Sequence, residues 1–155
     1  MKKLVSFLLL SFLTFVATVN AQKVSVYPVP QDVAWGENVA FENSVEFVIL
    51  GEEAADVDAV TLFKSKFNVG SGGVTLVIGE RGDDAVAGYE SLIPQKAEGY
   101  YLEVAADKVV IAGNDGSGTY YGVQTFIQLA SQPDVMATKP KVSTHLSMYS
   151  PNSAM

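Results

Sequence analysis

The segment that most restricts the fold of this chain is Val74 to Ile78, a short apolar run closed off by Gly70-Ser71-Gly72-Gly73 on one side and Gly79 on the other. A strand with one wet face alternates apolar and polar residues, so a near-continuous run of this length predicts a strand covered on both faces. The residues before it change period. Ala55, Ala59, Leu62 and Phe63 make one stripe of a helix within Ala54 to Phe67, and earlier still Val45, Phe47 and Ile49 share one face of a strand over Val45 to Leu50. Strand, helix and strand in that order predict a parallel pair joined by a right-handed crossover.

Beyond this unit, Glu80 to Asp84 reads as a polar turn that opens a short helix from Asp84 to Tyr89, closed by Ile93-Pro94. Tyr100 to Ala105 and Lys108 to Gly113 are strand-like runs on either side of Ala106-Asp107, which predicts an antiparallel hairpin. Asn114 to Gly118 is a loop of turn residues. From Thr119 a helix follows, with Tyr120, Val123, Phe126, Ile127 and Ala130 on one face. At the front, Val24 to Tyr27 and Gln31 to Trp35 read as edge strands separated by Pro28 and Pro30. The expected fold is α/β (α+β), a mixed β-sheet with two or three helices packed on it, and 155 residues at 48% hydrophobic content suffice for one such domain.

Both ends differ from this middle. Lys2 and Lys3, the apolar stretch Leu4 to Val19 and the site Val19-Asn20-Ala21 read as a secretory signal over residues 1–21, with the mature chain starting near Gln22. The apolar stretch is short for a membrane span, so no span is expected once the signal is cut. Its removal takes two of the 10 basic residues and none of the 17 acidic ones, changing the formal charge from −7 to −9. Nucleic acid is therefore not an expected partner. There is no cysteine, which excludes disulfides, thiolate metal sites and a lipid-modified cysteine. The expected destination is the periplasm or the extracellular space. Residues 133–155 have no sustained period and are rich in Ser, Thr, Pro and Met, so they are expected to lie outside the folded core.

Residue chemistry offers little for catalysis. The one histidine, His145, sits in that tail with no motif around it, which leaves no ready Ser-His-Asp triad or multi-imidazole zinc site. The glycines Gly70 to Gly73 precede a strand, whereas a phosphate cradle opens a helix. Asp83 and Asp84 form a tempting carboxylate pair for glycoside cleavage, yet their place at a helix start suits capping and the helix dipole. Tyr100-Tyr101 lie in a strand and Tyr120-Tyr121 in a helix. Neighbours in a strand face opposite sides and neighbours in a helix point about 100° apart, so no flat four-ring platform follows. No residue is assigned a catalytic, cofactor-binding or metal-binding role, and no cofactor is expected.

Three stretches carry a family resemblance: VIGERGDD at Val77 to Asp84, EGYYLEV at Glu98 to Val104 and IAGNDGSGTYYGVQTFIQLA at Ile111 to Ala130. Together they resemble the N-terminal domain of glycoside hydrolase family 84, the bacterial O-GlcNAcase-like β-N-acetylglucosaminidases, and more distantly that of family 20 hexosaminidases. The resemblance covers most of residues 22–132 and implies a non-catalytic α/β domain beside a TIM barrel. In those enzymes the barrel supplies the acids, and the substrate's acetamide attacks the anomeric carbon. Asp83-Asp84 belongs to a different motif from the family's adjacent catalytic aspartates. No barrel follows in this sequence, which suggests a truncated enzyme with a frame-shifted or artificial end.

The expected function is that of a support domain of a secreted β-N-acetylglucosaminidase or hexosaminidase, inactive alone, whose partner in cis is the barrel. The alternative is a carbohydrate-binding module in which Trp35 or tyrosine rings stack on N-acetylglucosamine-containing glycans. A third reading is a self-associating domain, because surface that a barrel covers would be left open.

Overall fold

The computed structural model describes Val26, Tyr27, Val29, residues 31–34, Phe41, residues 44–132 and the backbone of residues 144–148. The expected signal over residues 1–21 and Trp35 lie outside the described residues. Among the described residues seven strands form one sheet: β1 (Asp32–Ala34), β2 (Glu46–Leu50), β3 (Asn68–Val69), β4 (Val74–Glu80), β5 (Tyr100–Val104), β6 (Lys108–Gly113) and β7 (Thr144–Met148). Their order across the sheet is β1-β7-β5-β6-β4-β2-β3. β4 runs parallel to both β2 and β6, while β5 is antiparallel to β6 and to β7, and β7 to β1. The helices are α1 (Val57–Lys64), a 3₁₀ helix (Asp84–Leu92) and α2 (Gly116–Ala130). The result is the mixed α+β sheet that the pattern of periods implies, with β2, α1 and β4 as its parallel unit.

Burial on both faces explains the apolar run in β4. Leu76 and Ile78 join Phe47, Tyr100, Leu102, Val109 and Ile111 on one face, against Ala59, Val60 and Phe63 of α1 and Val123, Phe126 and Leu129 of α2. Val77 points the other way, with Tyr101, Val110 and Ala112, and meets Val86 and Ile93 from the 3₁₀ helix and its end. The two α-helices thus share one side, and the 3₁₀ helix covers part of the second. On the helical side Phe47 is fully buried, with its ring centroid 5.1 Å from Phe63 and 6.0 Å from Phe126, both edge-on. Edge-to-face packing sets ring hydrogens against π-clouds, so this cluster gains electrostatic as well as transfer energy.

Element ends differ from the sequence reading where caps override periodicity. α1 starts at Val57, because the Asp56 carboxylate accepts from the Ala59 amide at 2.9 Å. α2 starts at Gly116, earlier than Thr119, because Asp115 accepts from the Gly118 amide at 2.8 Å and draws the expected loop into the first turn. At the front, Val26 is buried while Tyr27 is exposed, neither belongs to a strand, and β1 is the edge strand that opens the sheet.

The segment after Pro133 also departs from expectation. The backbone of Thr144–Met148 lies within the sheet, paired between β5 and β1, where the sequence led us to expect it outside the folded part. Five residues are too few to show a period, and main-chain pairing along the outer edge of β5 is enough to recruit them. Phe47→Ala should cost about 3–5 kcal/mol, measured as a fall in the denaturant midpoint with the slope unchanged.

Candidate functional site

The three helices among the described residues begin at the same end of the sheet, where the parallel strands β2, β4 and β6 finish. Their capping positions are Asp56, Asp83 and Asp115, and the last residue of β4, Glu80, lies among them. A crevice beyond the carboxyl ends of parallel strands is where α/β proteins commonly place ligands. What these groups bond to decides whether they can do chemistry.

Asp56 and Asp115 accept from helix amides as described above, and Asp115 also takes the Glu98 amide at 2.9 Å with its second oxygen. Asp83 turns back and accepts from the Glu80 amide at 2.7 Å. It therefore closes the turn between β4 and the 3₁₀ helix and makes no side-chain bond to the helix it precedes, a correction to its reading as a cap. Asp84 is exposed in the first turn of the 3₁₀ helix, where its charge complements the dipole. Burial first, and then the charges of Asp83, Asp56 and Asp115, raise the pKa of Glu80 above the ordinary carboxylate value, while the Asp56 amide opposes the rise by donating to it.

Arg81 ties this end together. Its Nε donates to Asn114 Oδ1 at 2.9 Å, and its two terminal nitrogens donate to the Glu90 and Ile93 carbonyls at 3.0 and 2.6 Å. Its own amide donates to the Gly113 carbonyl at 2.8 Å. One guanidinium thus caps the far end of the 3₁₀ helix and fixes it to the loop before α2. Gly82 and Gly118 are among the glycines that the geometry dictates. Gly82 sits at φ +99°, which side-chain-bearing residues avoid, and a Cβ on Gly118 would come within 2.3 Å of the Gly99 carbonyl oxygen. The stretches VIGERGDD, EGYYLEV and IAGNDGSG therefore meet in one knot of main-chain hydrogen bonds.

Elsewhere the rings separate as strand geometry requires. Tyr100 is buried on the helical side with its hydroxyl 2.5 Å from Thr125 Oγ1, and burial pushes its pKa up to about 12. Tyr101 is buried on the opposite side; burial and then the Glu103 carboxylate raise its pKa also, and its ring lies 6.0 Å from that of Tyr89. With about 1% of their surface exposed, neither can stack on a sugar. Tyr120 and Tyr121 are half-buried and meet edge-on at 6.2 Å, so the four rings make no common platform. Lys108 lies 2.8 Å from the Tyr89 hydroxyl and 3.6 Å from Glu103, and these contacts, the Tyr89 bond foremost, raise its pKa. His145 stands opposite Glu103 and Ala34 in the sheet register. The Gly70 to Gly73 turn leads into β4 and opens no helix. Among the described residues no group of three or more His, Cys, Asp or Glu is placed to hold a metal.

Between the loops 51–54 and 82–85 runs an open groove of about 850 Å³, lined among others by Ile49, Leu50, Glu52, Glu53, Asp83 and Asp84. The sequence reading singled out the Asp83-Asp84 pair but missed Glu80 and Arg81. A lone arginine inside an acidic stretch, Glu80-Arg81-Gly82-Asp83-Asp84, was the available signal.

A mixed sheet with two capped helices on one side and a 3₁₀ helix on the other, tied by these motifs, is the fold of the smaller domain of hexosaminidase-type glycoside hydrolases. The solved structure CpGH84B is 26% identical, with a TM-score of 0.58 over 81% of this chain and 22% of that one. CpGH84D matches at 13% identity and a TM-score of 0.61, over 83% of this chain and 24% of that one. The family 20 exo-β-N-acetylglucosaminidase of Vibrio harveyi matches at 16% identity and a TM-score of 0.51, over 79% and 18%. The last two show likeness of fold alone. The family model for glycosyl hydrolase family 20, domain 2, matches residues 23–143, and the chain belongs to that family. It spans about a quarter or less of the length of these solved structures.

Because the folded state raises the Glu80 pKa, it binds the proton more tightly than the unfolded chain does. The stability this confers is complete below the ordinary value of 4.5 and is lost as pH rises through the raised one. Glu80→Gln should therefore stabilise the domain at neutral pH, by less than about 1 kcal/mol given the partial exposure, and make no difference in acid. Unfolding midpoints measured across pH would reveal the divergence.

Proposed function

We propose that this chain is an accessory domain of an exported β-N-acetylhexosaminidase, which rests against a catalytic TIM barrel and takes no part in bond cleavage. The observation that carries the accessory role is the use made of the helix-start aspartates. Asp56, Asp83 and Asp115 are all engaged by main-chain amides at 2.7–2.9 Å. A general acid or nucleophile needs its oxygens turned to substrate and a partner carboxyl across the scissile bond. These oxygens instead hold loops in place. Family membership and the identity with CpGH84B support the hexosaminidase setting, and the names of the β-N-acetylglucosaminidases among the structural relatives support glycans containing N-acetylglucosamine as the enzyme's substrates.

Export to the periplasm or beyond rests on the signal-like start, Lys2-Lys3 followed by Leu4 to Val19. Mass spectrometry of protein recovered from the bacterial periplasm or medium should give an N-terminus at Gln22, and an intact Met1 in the cytosol would refute export. The purified 155-residue chain should hydrolyse an aryl N-acetylglucosaminide no faster than buffer. Turnover that Asp83→Asn or Asp84→Asn abolishes would overthrow the accessory role.

A further inference from the structure

The chain has one histidine, and the sheet register defines its position. In β7, His145 is paired directly with Glu103 of β5 on one side and with Ala34 of β1 on the other, while Asp32 of β1 is paired with Ser147. Successive residues of a strand alternate between the faces of a sheet, and directly paired residues share a face. Leu102 belongs to the core on the helical side and Tyr101 to the cluster on the second side. Positions 144, 146 and 148, paired with Val104, Leu102 and Tyr100, therefore fall on the helical side. Positions 145 and 147 fall on the second side, together with Tyr101 and Glu103 of β5 and Asp32 and Ala34 of β1.

The histidine position thus has an acidic residue on each neighbouring strand, Glu103 directly across and Asp32 one diagonal step away. Glu103 is 19% exposed, accepts from the Tyr101 hydroxyl at 3.0 Å and has Lys108 at 3.6 Å. Lys108 stands on β6, on the other side of β5 from β7, and donates to the Tyr89 hydroxyl at 2.8 Å. Its charge therefore leaves the β7 flank of Glu103 open to a second cation.

We infer that His145 is a pH-operated fastener of the β1–β7 edge: protonated, it strengthens the pairing of β7 with β5 and β1, and neutral, it gives up that added hold. Opposite charges paired directly across two strands favour the paired state by up to about fivefold. Histidine is the side chain whose charge ordinarily changes in the physiological range, so here the gain comes and goes with pH. The effect reaches beyond β7. β1 stands at the end of the sheet with β7 as its neighbour, so what loosens β7 loosens β1 with it. Carboxylates favour the charged imidazole, which raises its pKa in the folded chain above the ordinary value of about 6.5. The stability gained is complete below that ordinary value and is lost as pH rises through the raised one.

Proton NMR of the purified chain tests the inference, because a single histidine titrates without overlap. Its midpoint should lie above about 6.5 and should move down in Glu103→Gln and in Asp32→Asn. Amide exchange in 32–34 and 144–148, corrected for intrinsic rates, should be up to about fivefold slower near pH 5.5 than near pH 8. His145→Gln should remove that difference, and His145→Lys should keep exchange slow at both pH values. A midpoint at or below the ordinary value, a midpoint that neither carboxylate variant moves, or an exchange difference that survives in His145→Gln overturns the inference. None of these outcomes depends on the glycosidase setting, so the two readings fail separately.

Discussion

The guanidinium of Arg81 is the point on which this end of the fold depends. A 3₁₀ helix has poor hydrogen-bond geometry and seldom runs long without outside support, yet here it spans Asp84–Leu92 and covers the second side of the sheet. Arg81 bonds the carbonyls of Glu90 and Ile93 and reaches Asn114 with its third nitrogen, so the 3₁₀ helix, the end of β4 and the start of α2 are held by one residue. Charge-assisted bonds to carbonyls are worth more than neutral ones. Through Asn114 the support extends to β5, because the Asn114 amide donates to the Gly99 carbonyl at 2.7 Å.

This arrangement explains why the resemblance could be read from short motifs. Each motif places residues in conformations or contacts that few alternatives satisfy: Gly82 at positive φ, Gly118 against Gly99, Asp115 on two amides and Arg81 on two carbonyls. Substitution at such positions breaks main-chain hydrogen bonds inside the domain, where an unpaired amide or carbonyl is costly. The quoted motifs thus mark architecture and not reactivity. Carboxylates gathered at the ends of parallel strands look like chemistry in a sequence, and the hydrogen bonds assign them to capping and turn closure.

Much of the fold was legible because burial leaves a period. β2, β4, α1 and the β5–β6 hairpin all followed from where apolar residues recur, and β4 was marked as covered on both sides by having almost no polar residue. Less legible were features set by single contacts. Asp115 moves the start of α2 to Gly116 through one carboxylate, and Ser65 ends α1 by donating to the Leu62 carbonyl at 2.7 Å. β7 has only five residues and depends on the free edge of β5, a fact of topology that no local pattern contains. At the candidate site the aspartates could be named from sequence, but the direction of Asp83, back to Glu80 and away from its helix, depends on a turn through Gly82.

The distribution of charge extends the same reasoning to the surface. Glu80 with Asp56, Asp83 and Asp115 concentrates negative charge where the helices start, and the protein tolerates it because helix amides and their dipoles offset part of the repulsion. That offset is local to the first turns. α2 begins at this acidic end, yet it carries no charge along its whole length, and its only acidic support, Asp115, precedes the first turn. A solvent-facing helix gains little from avoiding Lys and Glu, which have good helical propensity and form stabilising pairs one turn apart. Tyr120, Tyr121, Gln124, Ile127 and Gln128 in their place forgo those pairs and leave a half-buried surface without charge.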